Sequence, residues 1–147
     1  MKILIDKKAS LELYRNNISV IKKHECYNNT FNVMSKDDNV LFKILNEEWK
    51  IAFCYVRSLD KERVHARHAC FYNHSSYTMI DVTAPTWNDF SSQTNIEYKI
   101  IKLLNHSEYI DAIDEDRDFN PALWDYLHDE TNCTRMNLIN QGYIPID

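Results

Sequence analysis

The chain has 147 residues, of which 44% are hydrophobic and 12% aromatic, and its formal net charge is −5. This composition is typical of a domain with its own buried core; it argues against a disordered chain and disfavours a nucleic-acid-binding surface. The single glycine, Gly142, excludes glycine-rich phosphate loops and the GxSxG nucleophile elbow, because those turns need backbone torsions that side chains forbid.

The opening segment, MKILIDKKAS, has too few apolar residues between its charges for a signal-peptide core. No apolar run approaches the roughly 18 residues that a membrane span needs. The sequence therefore predicts a cytoplasmic protein with no membrane partner, in which the cysteines are reduced. The chain has four of them, Cys26, Cys54, Cys70 and Cys133.

Three helices are predicted in the first third of the chain. Residues 8–22 carry apolar side chains every three or four positions, which is the period of an amphipathic helix. The segment 26–34 predicts a short helix, although its asparagines are poor helix formers. Ser35 followed by Asp38 resembles a capping box for a third helix that ends near Asn46.

The pattern then changes to that of β-strands. Residues 49–57, 64–72 and 78–84 are rich in β-branched and aromatic residues, and the polar segments between them are short. They predict a three-stranded antiparallel meander.

Helical patterns return after Pro85. Helices are predicted over 95–104, 121–128 and 131–140, with Gly142 as the C-cap residue of the last one. The predicted fold is α+β, one domain over residues 1–147, in which helical extensions at 1–23 and 85–147 flank a core at 24–84.

One set of residues in this core carries chemistry. Cys26 begins a predicted helix, whose dipole favours a thiolate, and an imidazole beside it needs an acceptor on its other nitrogen. If the last two strands are joined by a two-residue turn at 74–75, antiparallel counting puts His68 opposite Asp81, with Cβ atoms about 5 Å apart. The sequence therefore predicts a His–Asp pair on one face of the sheet.

Three short motifs carry a resemblance to a known group of enzymes. The segment from His24 to Asn29 resembles the CYxN stretch of papain-like and transglutaminase-like cysteine enzymes. Arg67-His68-Ala69 and the segment 80–83 (IDVT) resemble the HA and IDxT motifs of small bacterial and phage proteins of this type. The resemblance implies a Cys-bearing helix packed on a three-stranded antiparallel sheet.

The resemblance also implies an activity. Cys26 would attack an amide or thioester carbonyl of a substrate such as a protein, a peptide or another amide, His68 would move the proton, and Asp81 would orient His68, with no cofactor. Water or an amine could resolve the acyl-enzyme, so protease, amidase, deamidase and transglutaminase-like activities all stay open. The alternative is a non-catalytic acidic inhibitor or binding protein on the same fold. No glutamine precedes Cys26 at the papain spacing, so the backbone N–H of Cys26 is the one oxyanion donor that the sequence supplies.

Metal sites are disfavoured, and the sequence predicts none. A zinc site could draw on cysteines and histidines of the strands, but strand parity turns His65 away from the others and no CxxC or HExxH motif is present. These candidates are Cys54, His65, His68, Cys70 and His74. The acidic run at 114–118 is similar to half of an EF-hand loop, with Phe119 where the turn requires glycine.

Two further groups have simpler interpretations. A basic cluster surrounds the second strand and could attract an anionic substrate, although charges at a strand connection usually face water. It consists of Arg57, Lys61, Arg63 and Arg67. Trp49, Trp87 and Trp124 are predicted to lie in the core, as are Cys54 and Cys70.

Overall fold

The computed structural model describes residues 2–57, 63–93, 96–115 and 119–147. Over these ranges the fold is α+β, as predicted, with five α-helices and a mixed sheet of six strands. The helices are α1 (Lys7–Asn16), α2 (Cys26–Lys36), α3 (Asp38–Leu45), α4 (His106–Glu115) and α5 (His128–Asn140). The strands are β1 (Lys2–Leu4), β2 (Trp49–Arg57), β3 (Val64–Asn73), β4 (Thr78–Ile80), β5 (Glu97–Leu104) and β6 (Ile144–Ile146). Among the helices of these ranges, none has the length and apolarity to cross a membrane.

The sheet is built around the hairpin of β2 and β3. Its strand order is β1-β5-β2-β3-β4, and β6 pairs in parallel with β3. The other pairings are antiparallel, and β2 pairs with β3 along its whole length, from Trp49↔Asn73 to Arg57↔His65. The predicted three-stranded sheet is therefore too small, because β1, β5 and β6 extend it at both sides of the hairpin.

Alternate residues of β2 and β3 pack into two separate hydrophobic cores, one on each face of the sheet. Phe53, Ala69 and Phe71 pack with the helices, on what we call the helix face. Cys54 and Cys70 point to the opposite face, where they are fully buried as predicted. The period-two alternation of a strand thus puts neighbours such as residues 67 and 68 on opposite faces.

Aspartates cap the first and third helices. Asp6 caps α1, where its Oδ1 accepts from the N–H of Ala9 at 3.0 Å. Asp37 caps α3 and accepts from two backbone N–H groups. Ser35 is not the capping residue, because its hydroxyl lies inside α2 and donates to the carbonyl of Phe31 at 2.9 Å. The predicted capping box is wrong by two positions.

The helix predicted over 95–104 is strand β5. Its register against β2 shifts between Phe53 and Cys54, where Lys102 and Ile100 are the successive partners. Ile96 and Ile100 lie in the core of the second face, whereas Leu104 belongs to the helix-face core. A bulge of this kind breaks the period-two alternation, which explains why the apolar spacing imitates a helix.

The C-terminal part differs further from the prediction. Residues 121–127 form turns, α4 was not predicted, and residues 1–23 and 85–147 contribute strands as well as helices. Gly142 has a φ of +85° and follows the end of α5. Its N–H donates to Ile139 and that of Tyr143 to Leu138, which is the Schellman pattern, so the predicted cap is confirmed.

Candidate active site

The first turn of α2 fills a gap along the edge of β3. Strand β4 pairs with residues 71–73 and β6 with residues 64–66, so the edge between them faces α2. The hydroxyl of Thr30 donates to the carbonyl of Ala69 there, at 3.2 Å. This contact holds half-buried Cys26, the first residue of α2, close enough to His68 to help raise the pKa of the imidazole.

His68 and Asp81 form a buried pair. The Nε2 atom of His68 lies 2.7 Å from Oδ2 of Asp81, and the two residues are 5% and 0% exposed. Because Nε2 faces the carboxylate, Nδ1 is the ring nitrogen left for Cys26. The structure therefore pairs His68 with Asp81 directly, and Cys26 lines the same cleft as His68.

The hairpin register behind this pair differs from the predicted one. Residues 74–77 form the connection, and the observed pairs are Phe71↔Ile80, Tyr72↔Met79 and Asn73↔Thr78. The two-residue turn is wrong, and Asp81 follows the end of β4 instead of lying opposite His68. The error amounts to two residues, which preserves the face of the sheet, so the two side chains still meet.

Four contacts saturate the carboxylate of Asp81. Its Oδ2 also accepts from the hydroxyl of Tyr98 at 2.7 Å. Its Oδ1 accepts from the backbone N–H groups of Thr83 and Ala84, at 3.0 and 3.1 Å. Burial on its own raises the pKa of Asp81, but the charge and hydrogen bond of His68 and the other donors lower it overall. Asp81 is therefore held as an anion in the interior.

The same network favours the imidazolium form of His68. Burial on its own lowers the pKa of the imidazole, whereas the charges of Asp81 and Cys26 and the hydrogen bonds to both raise it well above its usual value. The rings of Trp87 and Tyr98 pack on His68 with centroids at 5.5 and 6.2 Å. The packing fixes the ring between its two partners.

Asn29 ties the Cys26 helix to the segment after Asp81. Its Nδ2 donates to the hydroxyl of Thr83 at 2.9 Å and to the carbonyl of Lys22 at 2.7 Å. Its Oδ1 accepts from the N–H of Lys22 at 2.9 Å. This residue is the asparagine of the CYxN motif, and here it positions the loops on both sides of Cys26.

The N-terminus of α2, next to the Cys26 thiol, has no side-chain cap. Glu25 occupies the N-cap position, but its side chain makes no capping hydrogen bond. In the described ranges, the backbone N–H of Cys26 has no acceptor. His24, just before, has a φ of 66°, in the left-handed region that costs a non-glycine residue energy. A helix N-terminus with a vacant donor is suited to stabilise a thiolate or an oxyanion.

Cys26 and His68 border a cleft of about 510 Å³. An apolar part of its wall is formed by Val56, Ala66 and Ile146, and the half-buried ring of Trp87 faces the same space. The polar lining residues are Lys23, His24, Arg57, Arg67, Thr83, Asn88 and Asp89. The site therefore has room for a substrate next to the thiol.

A different set of ligand atoms also converges here. Atoms of His68, Cys70 and Asp81 lie within 4.8 Å of one another, in a geometry that could hold a metal ion. Of the five predicted zinc candidates, His68 and Cys70 belong to this set, and Asp81 is its third member. The ring of His65 instead packs against that of Tyr143, with centroids 4.4 Å apart and an interplanar angle of 52°. All three atoms are buried, and two of them already belong to the His–Asp pair. Of the EF-hand-like run, residues 116–118 lie outside the described residues.

Arg67 corrects the interpretation of the basic cluster. It is 4% exposed instead of facing water, and its Nη1 donates to the hydroxyl of Tyr27 and the carbonyl of Ala122, at 3.0 and 2.8 Å. Its guanidinium lies 3.9 Å from the ring centroid of Trp124 and 5.5 Å from that of Phe53. Lys61, another member of the cluster, lies outside the described residues.

The tryptophans differ from the core prediction in two of three cases. Trp49 is buried, as predicted. Trp87 is half-buried because it lines the cleft, and Trp124 is 36% exposed because its ring covers Arg67.

Comparison with known proteins gives no relative. Neither a protein-family model, nor a curated protein, nor a solved structure matches the chain. The resemblance to papain-like and transglutaminase-like enzymes stays a prediction that rests on the motifs around Cys26, His68 and Asp81.

Proposed function

We propose that this chain is a cysteine-dependent acyl-transfer enzyme, in which Cys26 is the nucleophile, His68 the proton carrier and Asp81 the residue that orients His68. The observation that carries the proposal is the buried His68–Asp81 pair at a cleft that both Cys26 and His68 line. The three side chains come from a helix, a strand and the end of the next strand, so a buried framework fixes their geometry.

The reaction starts with the thiolate of Cys26 and the imidazolium of His68. Sγ attacks the carbonyl carbon of the substrate, and an S–C bond forms as the carbonyl electrons move to oxygen. When the carbonyl re-forms, the C–N or C–S bond to the leaving group breaks, and His68 gives that group its proton. In the second half, His68 takes a proton from water or an amine, which attacks the acyl-enzyme and releases Cys26.

The surrounding groups have separate roles in this scheme. The backbone N–H of Cys26 would donate to the oxyanion, helped by the dipole of α2. Asp81 stays ionised, and its hydrogen bond fixes the ring of His68 with Nδ1 toward the thiol. Tyr98 and the N–H groups of Thr83 and Ala84 hold Asp81 itself in place, so they act on the reaction only through His68.

The test is alkylation of the native protein with iodoacetamide, measured from pH 5 to 9 by mass spectrometry of the individual cysteine peptides. Exposed Cys133 is the internal reference. We expect Cys26 to react faster than Cys133 at the acid end, since a paired imidazolium stabilises the thiolate. His68→Gln should remove that advantage and leave Cys133 unchanged. If Cys26 reacts no faster than Cys133 at any of these pH values, the proposal is wrong.

A further inference from the structure

Two consecutive residues of β3 lie next to two consecutive residues of α2, one pair on each face of the sheet. On the helix face, Nη1 of Arg67 donates to the hydroxyl of Tyr27 at 3.0 Å. On the opposite face, Cys26 lies close enough to His68 to help raise the pKa of the imidazole. Because the two pairs are adjacent in both elements, a shift of Tyr27 away from Arg67 also moves Cys26 relative to His68.

The first turn of α2 needs support from outside the helix. Its N-cap residue is Glu25, and the described residues provide no side-chain cap for its backbone N–H groups. A helix start without a cap is prone to fraying. A capping side chain would also fill the space in front of the helix, where the proposed reaction places the oxyanion. A contact from the side fixes the turn and leaves that space free.

Tyr27 is well placed to fix the thiol, because it is the residue after Cys26. Its ring is stacked on Phe53 of β2, with centroids 6.2 Å apart and an interplanar angle of 16°. Burial raises the pKa of its hydroxyl, which therefore stays neutral. The contact of Tyr27 acts one residue from the nucleophile, whereas the hydrogen bonds of Asn29 and Thr30 act three and four residues from it.

Other groups fix the guanidinium of Arg67 that bonds to Tyr27. Its Nη1 also donates to the carbonyl of Ala122 at 2.8 Å, in the turns before α5. Its Cζ lies 3.9 Å from the ring centroid of Trp124 and 5.4 Å from that of Tyr27. The rings of Trp124 and Tyr27 pack edge to face, with centroids 6.1 Å apart. Arg67 and the two rings thus join β3, α2 and the turns.

Stability alone does not account for a charge at this position. Nε and Nη2 of Arg67 are buried and have no hydrogen-bond partner among the described residues. Buried donors without acceptors cost free energy, and an apolar side chain of similar volume is often no less stabilising. What an apolar side chain does not supply is a donor with a fixed direction toward Tyr27, since the guanidinium is planar. The arginine is therefore suited to a positional role.

We infer that Arg67 is a positioning residue for Cys26. Its guanidinium lies on the helix face, over the ring of Phe53, so it acts by holding Tyr27, which keeps the neighbouring thiol beside His68. The inference rests on the proposed function for the chemistry of Cys26, but the position of the first turn of α2 is a separate property. Loss of the bond between Arg67 and Tyr27 should impair the thiol before it unfolds the protein.

The first test is alkylation of Cys26 by iodoacetamide from pH 5 to 9, with exposed Cys133 as the internal reference. In this reaction Sγ attacks the CH₂ carbon, an S–C bond forms and iodide leaves. We expect Arg67→Met to lower the Cys26 rate about tenfold at pH 6, because a displaced thiol loses the imidazolium that favours its thiolate. At pH 9 the rate should fall less than about twofold, since the thiolate then forms without help. Equal losses at every pH would show a merely structural role. Arg135→Met removes the same charge from α5 and is the control, with no change expected.

Tyr27→Phe tests the route through Tyr27, because it removes the hydroxyl and no charge. It should lower the rate of Cys26 at pH 6 by a smaller factor, and the double variant with Arg67→Met should be no slower than Arg67→Met alone. If the two effects multiply, or if Tyr27→Phe matches the unaltered chain, Arg67 does not act through Tyr27 and the inference is overturned. Tyr27→Phe keeps the ring, so it decides the question even if Arg67→Met fails to fold.

Hydrogen–deuterium exchange separates this inference from the proposed function. The N–H of Asn29 donates to the carbonyl of Glu25 at 2.8 Å and closes the first turn of α2. It should exchange faster in Arg67→Met than in Arg135→Met, and equal exchange would overturn the inference even where Cys26 of the unaltered chain is reactive. Slow alkylation of Cys26 in the unaltered chain would instead remove the proposed function, and the exchange rates would still decide whether Arg67 holds the turn.

Discussion

Arg67 and His68 are neighbours on β3, and both are buried basic side chains, but the protein compensates their charges in different ways. His68 faces a carboxylate whose four hydrogen bonds are all made. Arg67, on the helix face, has two hydrogen-bond acceptors and the rings around it, and no carboxylate pairs with it in the part of the chain that the structure describes.

The difference separates two uses of a buried charge. The network around His68 fixes one ring orientation and one protonation state, which is what a proton carrier needs. The rings around Arg67 hold a cation by their π faces and leave an edge of the guanidinium without an acceptor. Removing a charge from the His68–Asp81 pair should therefore lower the free energy of unfolding much more than removing the charge of Arg67 on the helix face.

The largest effect is expected from Asp81→Ala. The substitution leaves the imidazolium of His68, the hydroxyl of Tyr98 and two backbone N–H groups buried without an acceptor. Loss of one partner of a buried ion pair costs about 3–5 kcal/mol of unfolding free energy, to be measured by urea denaturation. Asp111→Ala, at an exposed position of α4, is the control and should change stability by less than about 0.5 kcal/mol. A loss below about 1 kcal/mol for Asp81→Ala would show that the network is not what holds the pair.

A smaller effect is expected from Tyr98→Phe, which removes one donor from Asp81 and leaves the ring in place. Hydrogen bonds to charged groups contribute about 1.5–3 kcal/mol, and the loss should appear in the same urea titration. The control is Tyr109→Phe, at another buried tyrosine that is not among the donors to Asp81. Equal stability losses for the two variants would contradict the role given to the Tyr98 hydroxyl.

The next largest difference between His68 and Arg67 is expected in the pH dependence of the free energy of unfolding. Unfolded histidine titrates near pH 6.5, and the folded pKa of His68 lies well above that, since its partners outweigh the effect of burial. The folded state therefore holds an extra proton above pH 6.5, and stability falls as pH rises through the folded pKa, by at most about 1.4 kcal/mol per pH unit. Urea titrations at several pH values should show this slope for the unaltered chain and for Arg67→Met, and a smaller slope for His68→Gln. A slope of His68→Gln as steep as that of the unaltered chain would contradict this assignment.

The smallest effect is expected from Arg67→Met itself. The variant loses the bonds to Tyr27 and Ala122 and the ring contacts, but it also removes two buried guanidinium nitrogens that have no hydrogen-bond partner among the described residues. Replacement of a buried charge by an apolar side chain of similar volume is often close to neutral, and we expect a loss of about 1 kcal/mol in thermal or urea unfolding. Arg135→Met, at an exposed ion pair with Asp147, is the control. A loss as large as that of Asp81→Ala would remove the contrast between the two faces.

The sequence was enough to predict the His68–Asp81 pair, because the pairing depends on strand parity alone. An error of two residues in the hairpin register leaves His68 and Asp81, the residue after β4, on the same face of the sheet. It does not affect the start of α2 at Cys26. The α+β class was also predicted correctly, because the long apolar segments of β2 and β3 identify them as strands without knowledge of the strands they pair with.

The features that were not predicted from the sequence depend on contacts between residues that lie far apart along the chain. Tyr98 could not be assigned to Asp81, because the bulge in β5 gives its segment a helical spacing of apolar residues. The burial of Arg67 depends on Tyr27 and Trp124, which come from α2 and from turns near residue 124. Ser35 and Asp37 are both good capping residues, and only the actual end of α2 decides between them.

The most direct measurement is the titration of His68 by nuclear magnetic resonance of its imidazole, in the unaltered chain and in Cys26→Ala. If Cys26 and His68 form one reactive pair, the thiolate contributes to the raised pKa of His68, and its removal lowers the titration midpoint while the Asp81 contact keeps the ring buried. Identical midpoints in the two proteins would show that Cys26 and His68 do not interact, and would contradict the account.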